Sequence, residues 1–215
     1  MDEQNTSSTL SRYVQSLGHQ AIAFDPDHGF GFLHRLDVPS SGLVLVAKTY
    51  KAYYDLQLQL NVGTLSRDYI VLYHGWLSPE LREISARIYW IKDSGLPSKI
   101  QREGKPARTC VKVLAHTWRG TGKYSIVSVR IITGRQHQIR AHTAHVRHPT
   151  VCDDIYADST TFLSDREWCA RNFLHRYRLA FKGGSGAMQE TIAPLPLDLT
   201  KVLESLEPRN SQSAE

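Results

Sequence analysis

The chain has 215 residues, 41% of them apolar, and its 26 basic against 21 acidic side chains leave a formal net charge of +5. That is enough chain for one large domain with its own core, and the basic excess favours anionic partners, nucleic acid first. No apolar run reaches the roughly 20 residues of a membrane span. The polar, acidic start (MDEQNTSS) argues against a signal or transit peptide. Cys110, Cys152 and Cys169 are odd in number and form no Cys-x-x-Cys pair, which argues against a disulfide framework. The expectation is a soluble, intracellular (cytoplasmic) protein, monomeric by default.

Taken in chain order, residues 1–8 read as disordered. Leu10, Tyr13, Val14 and Leu17 then fall on one helical face, with Ser7 or Ser8 as cap and Gly18 as stop. Residues 24–31 are turn chemistry. Leu43 to Lys48 reads as a short buried strand, and Tyr50 to Leu60 as a helix with Tyr53, Leu56 and Leu60 inward. Strands are predicted over 67–76, 84–91 (an edge), 107–114 and 124–132. Thr133-Gly134-Arg135 is a sharp turn into a helix over 136–147, which His148-Pro149 ends. A strand over 173–181, a Gly-rich hairpin tip at 183–186, a helix over 197–206 and a tail complete the chain. No internal repeat and no linker stand out. The pattern predicts an α+β domain with a mixed, mainly antiparallel central sheet flanked by helices. Its expected division is an N-terminal tail and short helix (1–20), a catalytic domain (21–207) and a disordered tail (208–215).

Two stretches carry chemistry. The first is His34-Arg35-Leu36-Asp37, then Pro39-Ser40-Ser41-Gly42 and the apolar run to Lys48. It sets an acid and a base two apart on a loop beside a sheet, where catalytic groups are commonly held. Taken alone, Asp37 also fits a residue that caps the Pro-Ser-Ser turn. The second is Thr133-Gly134-Arg135-Gln136-His137-Gln138-Ile139-Arg140-Ala141-His142, with His145, His148-Pro149, Asp153 and Tyr156 after it. An arginine at the start of a helix is a fork donor able to hold a carboxylate bidentately. His142, His145 and His148 at i, i+3 spacing raise zinc as an alternative, but no acidic or Cys ligand shares their face and no His-Glu-x-x-His occurs.

In this order the motifs resemble those of RluA-type pseudouridine synthases. Ser66-Arg67-Asp68-Tyr69 is similar to that family's second motif, a basic residue followed by Tyr at a strand start. Gly104-Lys105-Pro106-Ala107-Arg108-Thr109, Phe173-Leu174-His175 and Ala193-Pro194-Leu195-Pro196 match weaker family elements, so the likeness runs from about residue 33 to 200. Ser40, Arg67, Cys152 and Ala157 stand where the family more often has Thr, Lys, Gly and Gly. A Lys-Pro-x-Gly segment usual upstream is not found in residues 1–33, so the chain is expected to start late or to lack that strand.

The resemblance implies isomerisation of uridine to pseudouridine within RNA, rRNA or tRNA, with no cofactor and no metal. It implies Asp37 as the essential carboxylate, Arg135 as its ion-pair partner and Tyr69 stacked on the target base. Arg35 is expected to fill the gap left by the flipped uridine. His34, Gln138, Arg140, His142, Lys105 and Arg108 are expected to contact the RNA, the basic ones through phosphates. A non-catalytic RNA-binding relative is the first alternative, and a His-dependent metal hydrolase the second.

Overall fold

The computed structural model describes residues 3–18, 20–91 and 96–209. A nine-stranded mixed sheet forms its centre. The strands are β1 (Ser41–Gly42), β2 (Ser66–His74), β3 (Glu83–Tyr89), β4 (Lys99–Ile100), β5 (Lys105–Arg119), β6 (Gly122–Ile131), β7 (Leu174–Lys182), β8 (Met188–Ile192) and β9 (Glu207–Pro208). The main path is β1-β7-β2-β6-β5-β3-β4, with β8 on β7 and β9 on β5. Every pair is antiparallel except β1 with β7. The helices are α1 (Glu3–Ser16), α2 (Tyr50–Asn61), α3 (Gln138–His145), α4 (Ser159–Arg166) and α5 (Leu197–Glu204). None is long and apolar enough to cross a membrane.

The central strands β2 and β7 are buried along most of their length because the sheet is covered on both faces. Tyr69, Val71, Tyr73, Val127, Val129 and Ile131 form one core with Ile139 of α3. Leu72, Phe173 and Tyr124 form another with Leu199 and Val202 of α5. A third core seats α2 through Leu56 on Leu179, beside Ile22 and Ala47. A bulge in the β2–β7 pairing shifts the register between Asp68 and Tyr69, so that Asp68 opposes Arg178 while Tyr69 opposes Arg176. Bulges re-aim side chains, and this one brings Tyr69 and Arg176 together.

The fold class matches the expectation, and so do α2, β2, β3, β6, β7 and α5 within a few residues. Four expectations need correction. The segment 43–48, expected as a strand, is loop that follows the two-residue β1, held through Leu33, Gly31 and a single bridge between Phe32 and Val46. Residues 24–31, expected as plain turns, hold the 3-10 segment Pro26–Gly31 and the end of another, Ala21–Phe24. The first helix begins at Glu3, inside the segment expected to be disordered. The C-terminal tail starts as structure: Glu207 and Pro208 pair with Trp118 and Thr117, and Arg209 N–H bonds the His116 carbonyl. The rest of the expected tail, 210–215, lies outside the described residues. α4 and β8 gave no clear signal, because α4 is short and β8 is exposed along its whole length.

Candidate active site

The loop of residues 33–40 leaves the sheet beside the start of β7. It is anchored there by β1, whose Gly42 has φ +120° and lies so close to the Arg176 backbone that a Cβ would overlap it. The loop forms a wall between two cavities. One, of about 460 Å³, is lined by Asp37, Arg67, Tyr69, Arg135, His137, Leu174 and Arg176, among others. The other, of about 510 Å³, shares His34 to Asp37 and is otherwise mostly apolar, with Leu10, Phe30, Phe32 and Val44. Asp37 therefore borders both, its side chain 17% exposed.

Arg140 stands beside Asp37. Its Nη1 is 4.0 Å from Asp37 Oδ2. Its Nε and Nη2 donate to the two oxygens of Asp153 at 2.7 and 2.6 Å, and Nη2 also reaches Asp154 at 3.0 Å. Asp153 is buried and also accepts from Thr150 Oγ1 and from the N–H groups of Ile155 and Tyr156. Burial pushes the Asp153 carboxyl up, but the hydrogen bond and charge of Arg140 outweigh it and hold Asp153 below its usual range. Burial likewise works against the Arg140 charge, and the Asp153 bond more than restores it. The guanidinium is thus locked in place with one nitrogen left over for Asp37. His137, at φ +50°, caps α3 next to this group. Burial and the Arg140 charge lower its pKa against the pull of Asp37.

Tyr69 forms the floor of the first cavity. Its hydroxyl accepts from Arg176 Nε at 2.8 Å and Nη2 at 2.5 Å. Arg176 Nη1 donates to His34 Nδ1 at 2.6 Å and to the Leu43 carbonyl at 3.0 Å, and Nη2 to the Arg35 carbonyl at 3.3 Å. Burial and the charges of Arg176 and Arg67 push His34 down to about 2, so its ring is neutral and accepts from Arg176. Arg176 was not among the residues the sequence reading selected. It is one of two arginines, with Arg178, in the predicted strand 173–181, and nothing in the sequence singled it out.

Several expected roles change. Arg135 does not pair with Asp37: its Nε donates to the Pro106 carbonyl, because it projects from the turn before the helix while Arg140 projects from within it. Arg140 is not an external phosphate contact, being 1% exposed. His142 is fully buried, bonded to Thr109 Oγ1 and the Ala86 carbonyl, and burial holds it below its usual pKa; it cannot reach RNA. Gln138 is buried and spends its amide on the turn: it accepts from Thr133 Oγ1 and Arg135 N–H and donates to the Arg108 carbonyl and Thr109 Oγ1. His34, neutral and tied to Arg176, is no phosphate ligand. Lys105 lies over the Trp90 ring and Arg108 pairs bidentately with Glu83, both on the outer surface of β5. Arg35 is exposed on the rim shared by the two cavities. Among the described residues no three His, Cys, Asp or Glu side chains converge as metal ligands.

This fold is that of solved pseudouridylate synthase domains. The human RNA pseudouridylate synthase domain-containing protein 1 superposes with a TM-score of 0.68 at 27% identity over 83% of this chain and 74% of that one. The human domain-containing protein 4 shares the fold at 19% identity and a TM-score of 0.65, over 83% of this chain and 77% of that one. The family profile for RNA pseudouridylate synthase matches residues 7–145, and the chain belongs to that family. An uncharacterized RNA pseudouridine synthase of Chloroflexus aurantiacus is 36% identical over 182 residues, 84% of this chain and 55% of that protein. The ribosomal large subunit pseudouridine synthase C of Escherichia coli is 33% identical over 183 residues, 81% of this chain and 55% of that protein. The chain thus spans about half the length of the curated relatives it matches.

Proposed function

We propose that the chain isomerises uridine to pseudouridine within RNA. The observation that carries this reading is Asp37 standing 4.0 Å from a buried arginine, at the edge of a cavity floored by a tyrosine. In the reaction the C1′–N1 bond breaks, the uracil turns, C5 bonds to C1′, and the C5 hydrogen is lost as N1 gains one. The change is redox-neutral and needs no water. Asp37 acts as the essential carboxylate at the ribose or the base. Arg140 is a positioning residue: its clamp on Asp153 fixes where its charge sits beside the Asp37 carboxyl.

The target uridine must leave its stack to reach the cavity. Tyr69, its ring held by Arg176, offers a fixed aromatic face for the uracil. Arg35 on the rim braces the vacated position. Arg135, partly exposed at the cavity, is a cation fitted to phosphates, which give affinity without sequence information. The Escherichia coli relative, named for the ribosomal large subunit, supports rRNA as the substrate class.

The test is tritium release to water from rRNA transcribed with 5-tritiated UTP, comparing wild type with Asp37→Asn. Release by wild type alone establishes the reaction and the carboxylate. Binding without release, by both proteins, makes the chain an RNA-binding relative instead.

A further inference from the structure

Five arginines of the described residues pair with carboxylates. Arg130 and Arg178 share Asp68, Arg108 holds Glu83, Arg140 holds Asp153 and Arg171 holds Asp198. Of the three buried arginines among the described residues, Arg140 has its carboxylate, and the other two, which line the cavity beside Asp37, do not. Arg67 is 5% exposed and Arg176 3% exposed, and neither has a carboxylate partner among the described residues. Arg176 at least is satisfied by Tyr69, His34 and two carbonyls. Arg67 has one long bond, from Nη2 to the Ile132 carbonyl at 3.4 Å, and its buried Nε has no partner. The glycine of the Thr-Gly-Arg turn makes room for it: a Cβ on Gly134 would come within 2.8 Å of Arg67 Nη1. A buried cation with no counter-charge is costly. The sequence keeps two of them side by side.

Resting on the reading above, we infer that Arg67, backed by Arg176, stabilises the negative charge that the uracil ring acquires when the C1′–N1 bond breaks. Heterolysis of that bond leaves its electron pair on the ring, spread over N1 and the two carbonyl oxygens. The ring is neutral before this step and neutral again once C5 has bonded to C1′, after which the C5 proton is lost as N1 gains one. A preorganised cation inside a water-poor cavity therefore acts on the transition state and hardly at all on the bound substrate. The position of the two arginines selects the base over the backbone. Both are nearly inaccessible, whereas Arg35 is exposed on the rim, where the phosphodiesters of a bound RNA would run. Only a base inserted into the cavity reaches Arg67. His34 reinforces the arrangement by staying neutral beside the pair, so no third charge and no acid dilutes it.

Arg67→Met and Arg67→Lys test this in three measurements. In single-turnover tritium release, Arg67→Met is expected to slow the chemical step about 100-fold, as loss of one charge-stabilising donor does elsewhere. Arg67→Lys recovers most of that rate. RNA affinity and its salt dependence stay at the wild-type values. The melting temperature of Arg67→Met stays level or rises, since an uncompensated buried charge has been removed. Weaker RNA binding with a shallower salt slope and intact chemistry would make Arg67 a phosphate ligand and overturn the inference. A lowered melting temperature with wild-type chemistry in the remaining folded protein would make it structural, with the same consequence.

A fourth measurement needs no RNA. Barbiturate, a planar pyrimidine that is an anion at pH 7, stands in for the uracil anion, and uracil itself is the neutral control. Calorimetric titration of wild type is expected to show barbiturate bound at least tenfold more tightly than uracil, and Arg67→Met to lose that preference. Equal binding of the two by wild type overturns the inference. If wild type releases no tritium yet shows the preference, the proposed activity fails while the charge assignment of the cavity stands.

Discussion

Arg140 faces Asp37 across 4.0 Å while Asp153 grips its other edge with two bonds of 2.6 and 2.7 Å. The strong pair is structural and the loose one is free for chemistry. Arg140→Gln leaves the Asp153 carboxylate buried without a cation, a change that costs about 3–5 kcal/mol. Chemical denaturation should show that loss together with abolished tritium release. Arg140→Gln combined with Asp153→Asn should recover much of the stability and none of the activity, because Asp37 still lacks its partner.

Arg135→Gln should behave differently despite the short distance in sequence. Its guanidinium meets the Pro106 carbonyl and the cavity rim. The expected result is a nearly unchanged denaturation midpoint, weaker RNA binding, and a salt slope shallower by about one unit in a filter-binding series.

Tyr69→Phe separates ring from hydroxyl. The phenol oxygen accepts two bonds from Arg176, both buried. Removing it strands those donors at about 1–3 kcal/mol, so the melting temperature should fall and the single-turnover rate should drop with the Arg176 fork. Tyr69→Leu, which also removes the aromatic face, should raise the KM for RNA as well.

Stability should rise with pH across the weakly acidic range. His34, His137, His142 and His175 are all held below their usual pKa in the folded chain, each first by burial. The unfolded chain therefore binds more protons below about pH 6.5, and each such histidine contributes a slope of up to about 1.4 kcal/mol per pH unit. That stability is fully present above pH 6.5 and is lost as pH falls towards the folded values. Asp153, depressed by Arg140, extends the loss only below about pH 4, the usual carboxylate range. Urea titrations from pH 7.5 to 5 should show the slope. His34→Gln should remove about one proton from it, since His34 has the lowest folded value of the four.

Gly42→Ala should prevent productive folding of the catalytic loop, because φ is +120° and the new Cβ overlaps the Arg176 backbone. Limited proteolysis should cut the variant near residues 35–42, and activity should be lost with Asp37 still present.

The order of motifs, the strand alternation and the Asp37 loop were legible in the sequence because each is local. A period of two marks a strand whatever it pairs with, and Pro-Ser-Ser-Gly marks a turn wherever it lies. The class of chemistry followed from motifs that persist as short strings. Which arginine meets Asp37 was not local. Arg135 and Arg140 are five residues apart in one motif, and the choice depends on Asp153 lying 13 positions after Arg140 and folding back to grip it. The same holds for Arg176 beneath Tyr69, which needs a bulge in the β2–β7 pairing across 107 residues of chain separation. It holds for His142, which reads as a surface cation until α3 packs it on Thr109. Sequence alone set which residue types were available. Tertiary packing decided which charges were compensated and which were left bare in the cavity, because burial and pairing are properties of neighbours in space.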